Sequence, residues 1–310
     1  MDWASLSIVG MLASLVAAST PILLAALGET VVERAGVLNL GVEGMMISGA
    51  VIGFIGAVST GNIVFGFLCG AVGGAALASI FALLSQYFLT NHVATGLALT
   101  LFGLGFSAMI GQTYVGKKPP PISDLSLPYL SDIPALGRIL FSHDAVVYVS
   151  LALTFCVWYF LRRTKTGLIL RAVGENHDAA HGLGYRVVRI RVLAILFGGA
   201  MAGLGGAYLS LARVPQWTEG MTAGAGWIAL AIVVFASWRP ERVLLGAYLF
   251  GGITILQLNL QAAGMTLNPA YLSMAPYLMT IIVLVLISRQ GKQQNSHAPA
   301  ALGRIFYAPR

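Results

Sequence analysis

The stretch RRTKTGLILRAVGENHDAAHGLGYRVVRIR, Arg162–Arg191, carries seven of the eighteen Lys and Arg in a chain of 310 residues. On both sides of it the sequence is nearly all hydrocarbon. A polar loop of this length, punctuated by its own glycines, reads as a handle by which a water-soluble partner moves a membrane protein. Inside it, Leu168 to Val173 predicts one apolar-faced helical turn stopping at Gly174. Asn176 then caps a second turn, with Asp178 near its positive end. Ala179, Ala180 and Leu183 are expected to form a small apolar face for a partner's groove. The competing reading is a segment lying on lipid headgroups, which suits Arg186, Arg189 and Arg191.

Working outward, apolar residues make up 57% of the chain and charged residues 9%, against about 25% charged in soluble domains. The mean hydropathy of +0.83 predicts an all-α polytopic membrane protein. The net charge of +7 sits mostly in loops and tail, where it sets orientation and meets anionic lipid, so nucleic acid is not implied. Cys69 and Cys156 lie in apolar stretches and indicate neither a disulfide framework nor a metal cluster. The N-terminus lacks Lys and Arg before its first apolar stretch, which argues against a cleaved signal peptide.

A crossing takes about 20 helical residues. On that measure nine spans are expected, at 6–28, 37–59, 63–89, 93–111, 144–161, 192–212, 223–238, 243–261 and 271–288. The nine-span count puts the 162–191 loop, the Arg239–Arg242 turn and the 289–310 tail on one side, the cytoplasmic one by their basic residues. The N-terminus and the proline-rich 112–143 loop then face outward. Four spans on either side of the fifth run in opposite directions, the arithmetic of an inverted repeat. Glycine-punctuated stretches open the second span (Gly36–Gly44) and the seventh (Gly220–Gly226) from opposite faces. Glycines four apart (Gly66, Gly70, Gly74; Gly49, Gly53; Gly199, Gly203) predict close helix packing.

Three motifs invite chemistry. Gly111–Lys117 fits G-x-x-x-x-G-K, but Lys118 stands where magnesium needs a hydroxyl and no strand precedes it, so nucleotide binding is rejected. His177 and His181 have a zinc-like i, i+4 spacing without a third ligand, and a solvated cytoplasmic face is the better reading. No catalytic constellation can be assembled. Glu43 lies inside an apolar segment, with Asn39 one helical turn before it on the same face, and is a candidate pathway or gating group. Thr95, Gln257 and Asn259 are further uncharged candidates to line a polar substrate's path.

Two stretches carry a family resemblance: Glu33–Met46 (ERAGVLNLGVEGMM) and Gly167–Asn176 (GLILRAVGEN), the latter continuing to GGAMAGLGG at Gly198–Gly206. They resemble the permease subunit of bacterial ABC importers, simple-sugar and nucleoside branch, and Trp217–Ala231 (WTEGMTAGAGWIALA) strengthens the nucleoside side. The chain departs from the pattern at Ala225, where relatives often have arginine, and near His181, where a basic residue is usual. The resemblance implies a type II importer permease fold in the bacterial cytoplasmic membrane. It implies as partners a cytoplasmic ABC ATPase that uses ATP and Mg, a second permease chain and an extracytoplasmic substrate-binding protein. This chain would bind no cofactor or metal itself. Arg171, Gly174, Glu175, Asn176 and Ala179 would fall in the segment that couples to the ATPase, to which the helix reading adds Asp178 and Leu183. The expected cargo is a nucleoside or simple sugar. A branched-chain amino acid, or a stand-alone ion-coupled transporter, is the alternative.

Overall fold

The computed structural model describes residues 8–126, 141–262 and 298–307, with a few isolated positions between 137 and 285. Helices dominate: α1 (Ile8–Arg34), α2 (Val42–Thr60), α3 (Ile63–Ala82), α4 (His92–Gly111), α5 (Ala145–Arg163), α6 (Lys165–Glu175), α7 (His177–Gly182), α8 (Val187–Tyr208), α9 (Ala225–Phe235) and α10 (Pro240–Ala262). α3 and α8 each end in a π-turn, Leu83–Tyr87 and Leu209–Arg213. A small antiparallel pair, β1 (Asp124–Ser126) with β2 (Ser142–Asp144), lies in the loop before α5. The Asp144 side chain then caps α5, its Oδ1 accepting from the Val146 and Val147 amides.

Seven helices, counting the π-turns, are long and apolar enough to cross a membrane. The helix in the 223–238 stretch, α9, has only 11 residues, about half of a crossing. Residues before it are non-helical, and Gly220 and Gly224 take positive φ there. The expected ninth span, 271–288, lies mostly outside the described residues. α1 runs on past residue 28 to Arg34, so Glu29 and Glu33 belong to the helix rather than to a loop.

Burial follows the logic of a bilayer. On α3, Val64, Phe65, Leu68 and Val72 are exposed, while Gly66, Gly70, Gly73 and Gly74 face inward. Hydrocarbon gains nothing by leaving lipid for protein, so close backbone approach and polar bonds must supply the association. The glycine series does so: a methyl group on Gly74 would collide with the Gly199 carbonyl, and one on Gly49 with Gly203. α2, α3 and α8 thus pack as a backbone-to-backbone trio, with α1 against α8, α9 and α10.

The turns at 35–41, 88–91 and 236–239, the helical 164–186 stretch and the 298–307 segment gather at one end, with Arg34, Arg162, Arg171, Arg191, Arg239 and Arg304. This basic end is the one expected to face the cytoplasm.

Candidate functional site

The 162–191 stretch folds as an elbow. Thr164 Oγ1 accepts from the Gly167 amide at 3.0 Å and starts α6; Asn176 Oδ1 accepts from the Ala179 amide at 2.9 Å and starts α7. Gly167 lies against the carbonyl of Phe160 and Gly174 against that of Arg34, both too close for a side chain. Folding back in this way presents Leu168, Ala172, Ala179 and Leu183 outward, Leu168 at 59% and Leu183 at 78% exposure. Glu175, Asn176 and Asp178 are exposed beside them, and Arg171 is half-buried. An apolar face with a polar rim suits a protein partner.

The expected composition of that face needs one correction. Ala180 turns inward to pack with Val173, Val187 and Phe306, because one face of so short a helix must seal the elbow against the chain below.

Beneath the elbow lies a fully buried guanidinium. Arg191 donates to the carbonyls of Ala35 (3.2 Å) and Arg304 (3.0 Å) and to His177 Nδ1 (3.1 Å). It therefore does not lie on headgroups, as its place in a basic run had suggested, whereas Arg186 and Arg189 are exposed. His177 is likewise buried rather than solvated. Burial first, and then the Arg191 charge, push its imidazole below its ordinary pKa. The i, i+4 imidazoles flank the ring of Phe306, with centroids at 5.3 and 5.4 Å. The tail straps this assembly: the Ala301 amide donates to the Gly174 carbonyl (2.9 Å), the Gly303 amide to Gly36 (3.1 Å) and the Ala300 amide to Glu175 Oε2 (3.3 Å).

Gly36 takes φ +84° where the chain leaves α1, with Gly174 and Arg191 in contact. The 33–46 and 167–176 motifs therefore touch each other, although some 130 residues separate them. Asn39 is not on the α2 helix, which begins only at Val42. Its Oδ1 instead accepts from the Gly41 amide at 2.9 Å, an Asx-type turn that delays the helix start.

Glu43, in the first turn of α2, meets the third motif. Its Oε1 accepts from Thr222 Oγ1 (2.6 Å) and the Gly224 amide (2.9 Å), and Oε2 from the Gly226 amide (2.7 Å). These amides lie at the start of α9, whose free N–H groups and positive dipole end favour a carboxylate. Gly226 packs so closely on Glu43 that any Cβ would overlap its backbone. Two helices that start inside the protein, entered from opposite ends of the bundle, converge on one buried carboxylate.

Of the other expected pathway residues, Thr95 is buried near the start of α4, bonded to Thr90 Oγ1 at 2.8 Å. Asn259 bonds its own helix at the Ile255 carbonyl, 2.8 Å, and Gln257 is half-buried beside it at the far end of α10. Asn39 and Glu43 lie on either side of the α2 start, where α4 packs through Gly96, the residue after Thr95, whereas Gln257 and Asn259 lie on α10. The G-x-x-x-x-G-K look-alike is packing and a turn: Gly111 seats the Trp217 indole, Gly116 takes φ +80°, and Lys117 lies over the Tyr114 ring at 4.2 Å.

Sequence reasoning missed Glu29 and Glu33, each 1% exposed on α1. Glu33 Oε2 accepts from Trp238 Nε1, and Arg34 donates to the Trp238 carbonyl. Among the described residues, Glu29 Oε1 and Glu33 Oε1 have no hydrogen-bond partner. Their i, i+4 spacing at the end of an apolar run was the available signal.

Residues 11–284 match the family described as the permease component of the branched-chain amino acid transport system. A putative glucose ABC transporter permease protein of Haloferax volcanii is 41% identical, over 94% of this chain and 96% of its own. A guanosine ABC transporter permease protein of Bacillus subtilis is 33% identical (92% and 94%), and a nucleoside ABC transporter permease protein of Lactococcus lactis 32% (89% and 91%). With its apolar crossing helices, the chain is a multi-pass inner-membrane protein that belongs to the permease family of ABC transport systems, in the branch whose named members handle sugars and nucleosides.

Proposed function

We propose that the chain forms the pathway for a neutral, hydroxyl-rich solute, a nucleoside or simple sugar, and imports it by alternating access. ATP, with Mg, is hydrolysed by a separate ABC ATPase docked on the α6–α7 face. A second permease chain completes the pathway, in a type II importer arrangement, and an extracytoplasmic binding protein delivers the cargo.

One observation carries this reading: residues 33–46 are tied at one end to the elbow, through Gly36, Gly174 and Arg191, and at the other to α9, through Glu43. A push on α6 therefore reaches the place where two interrupted helices meet. That meeting of helix starts from opposite ends also supports the inverted repeat, and in secondary transporters built on inverted repeats such breaks are where cargo is held. Arg171, Gly174, Glu175, Asn176, Asp178, Ala179 and Leu183 supply the coupling surface, and Asn39 and Glu43 hold the break in place. Thr95, Gln257 and Asn259 remain as uncharged groups for the path. The names of the sugar and nucleoside relatives support the cargo class.

The test is reconstitution of the purified complex with its ATPase and binding protein, offered labelled guanosine, glucose and leucine. ATP-dependent uptake of the nucleoside or the sugar is expected. Leucine uptake would replace the cargo, and ion-driven uptake by the chain without the ATPase would overturn the reading.

A further inference from the structure

An apolar groove of about 570 Å³ runs between α5 and α8 under the inner face of α6, lined by Val157, Phe160, Ile169, Leu193, Ala194 and Phe197 among others. Its walls are the basic-end halves of two crossing helices, so it lies within the hydrocarbon layer and close to its cytoplasmic edge. Interiors of proteins do not leave voids of this size. The groove is open at its side, where Leu193 is 57% exposed and Cys156 is also exposed.

The face of α8 that forms its lip continues toward the basic end as Arg189 and Arg186, four and seven residues before Leu193, and both are exposed. Leu193 also belongs to a second, more polar depression that contains both arginines, together with Gln86 and Tyr87. Hydrocarbon thus gives way to cationic mouth along one helix face. No carboxylate pairs with Arg186 or Arg189 among the described residues.

We propose that this groove binds one anionic phospholipid, an acyl chain lying between α5 and α8 and the headgroup phosphate held by Arg186 and Arg189. A hydrocarbon tail is the one apolar occupant always present at that depth, and guanidinium pairs suit phosphate oxygens. Because Thr166, Ile169 and Leu170 of α6 roof the groove, the lipid also supports the elbow from below.

The experiment uses the full-length permease purified with its partners, delipidated and titrated with phosphatidylglycerol or phosphatidylcholine of equal chain length, bound lipid being counted by native mass spectrometry. Phosphatidylglycerol is expected to bind about tenfold more tightly. The Arg186→Gln/Arg189→Gln variant should lose that preference, and Ala194→Trp, which fills the groove, should lose both lipids. Should Ala194→Trp not fold, a diazirine-bearing acyl chain on the unmodified protein reads the same point, with crosslinks expected in peptides 153–160 and 190–197. An unchanged preference in the double arginine variant, or crosslinks spread evenly over the lipid-facing helices, would overturn the site. So would a Cys156–Cys156 disulfide between two permease chains on mild oxidation, since a second copy would then cover the groove.

Discussion

Replacing Arg191 by Met separates a structural tie from a surface charge. The methionine fills similar volume on α8 but removes the donors that reach Ala35, Arg304 and His177. Each buried acceptor left unmatched costs about 1–3 kcal/mol. The share borne by the tail is its single bond to the Arg304 carbonyl, about 1.5–3 kcal/mol for a charged donor. By the 1.4 kcal/mol per decade rule this raises the undocked population of the tail about 10- to 150-fold. Trypsin reads that population, because cleavage after Arg304 requires its carbonyl to leave Arg191. In lipid nanodiscs the Arg191→Met protein should lose its C-terminal residues at least ten times faster than wild type. Arg191→Lys, a point donor without the guanidinium fork, should fall between. A cleavage rate within twofold of wild type would refute the tie, since the tail would then be held by Phe306 and the Gly36, Gly174 and Glu175 bonds without it.

At the other end of the 33–46 stretch, Glu43→Gln turns an NH₂ group toward donors and leaves one unmatched, at about 1–3 kcal/mol; reconstituted uptake should fall at least tenfold while the ATPase still co-purifies. Gly174→Val pushes a side chain into the Arg34 carbonyl, so the ATPase should fail to co-purify from membranes that still contain the permease. His177 is held neutral, so as pH falls below about 6.5 the unfolded elbow takes up a proton first and folded stability declines, whereas it stays level above. Thermal unfolding at pH 8 and pH 5 should show this loss, and His177→Gln, which keeps an acceptor for Arg191 and does not titrate, should reduce it. Trp238→Phe strips Glu33 Oε2 of its donor, and a loss of about 1–3 kcal/mol is expected in urea unfolding.

The crossing helices were legible because lipid imposes about 20 apolar residues on each, and the glycine series because close packing leaves a fixed four-residue spacing. The α6–α7 elbow was readable from Asn176 and Gly174, whose roles are local. What could not be read are polar groups whose partners are distant. Glu29 and Glu33 follow an apolar run, where hydropathy counts them as a boundary, yet α1 continues and buries both, Glu33 against a Trp238 some two hundred residues away. Arg191 sits in a basic run that resembles a headgroup anchor, and only its position above the Ala35 carbonyl decides otherwise. Asn39 differs, because its partner is local: the bond to the Gly41 amide postpones the helix on which the sequence pattern puts it.

These missed residues share a physical cause with the proposed coupling. Where lipid competes on equal terms for every apolar face, helix contacts made of hydrocarbon alone resist sliding only weakly. Buried hydrogen bonds resist it strongly, because an unmatched donor or acceptor finds no water to replace its partner. The described bonds of that kind between distant segments concentrate on residues 33–43: Glu33 to Trp238, Arg34 to Trp238, Ala35 to Arg191, Gly36 to the tail and Glu43 to the α9 start. α2, α3 and α8 meet instead largely through glycine faces, with the buried bond from Ser210 Oγ to the Ala50 carbonyl tying α2 to the π-turn that ends α8. On the proposed coupling, a force applied at α6 would displace the 33–43 stretch, the tail and the start of α9 together, with the glycine surfaces yielding.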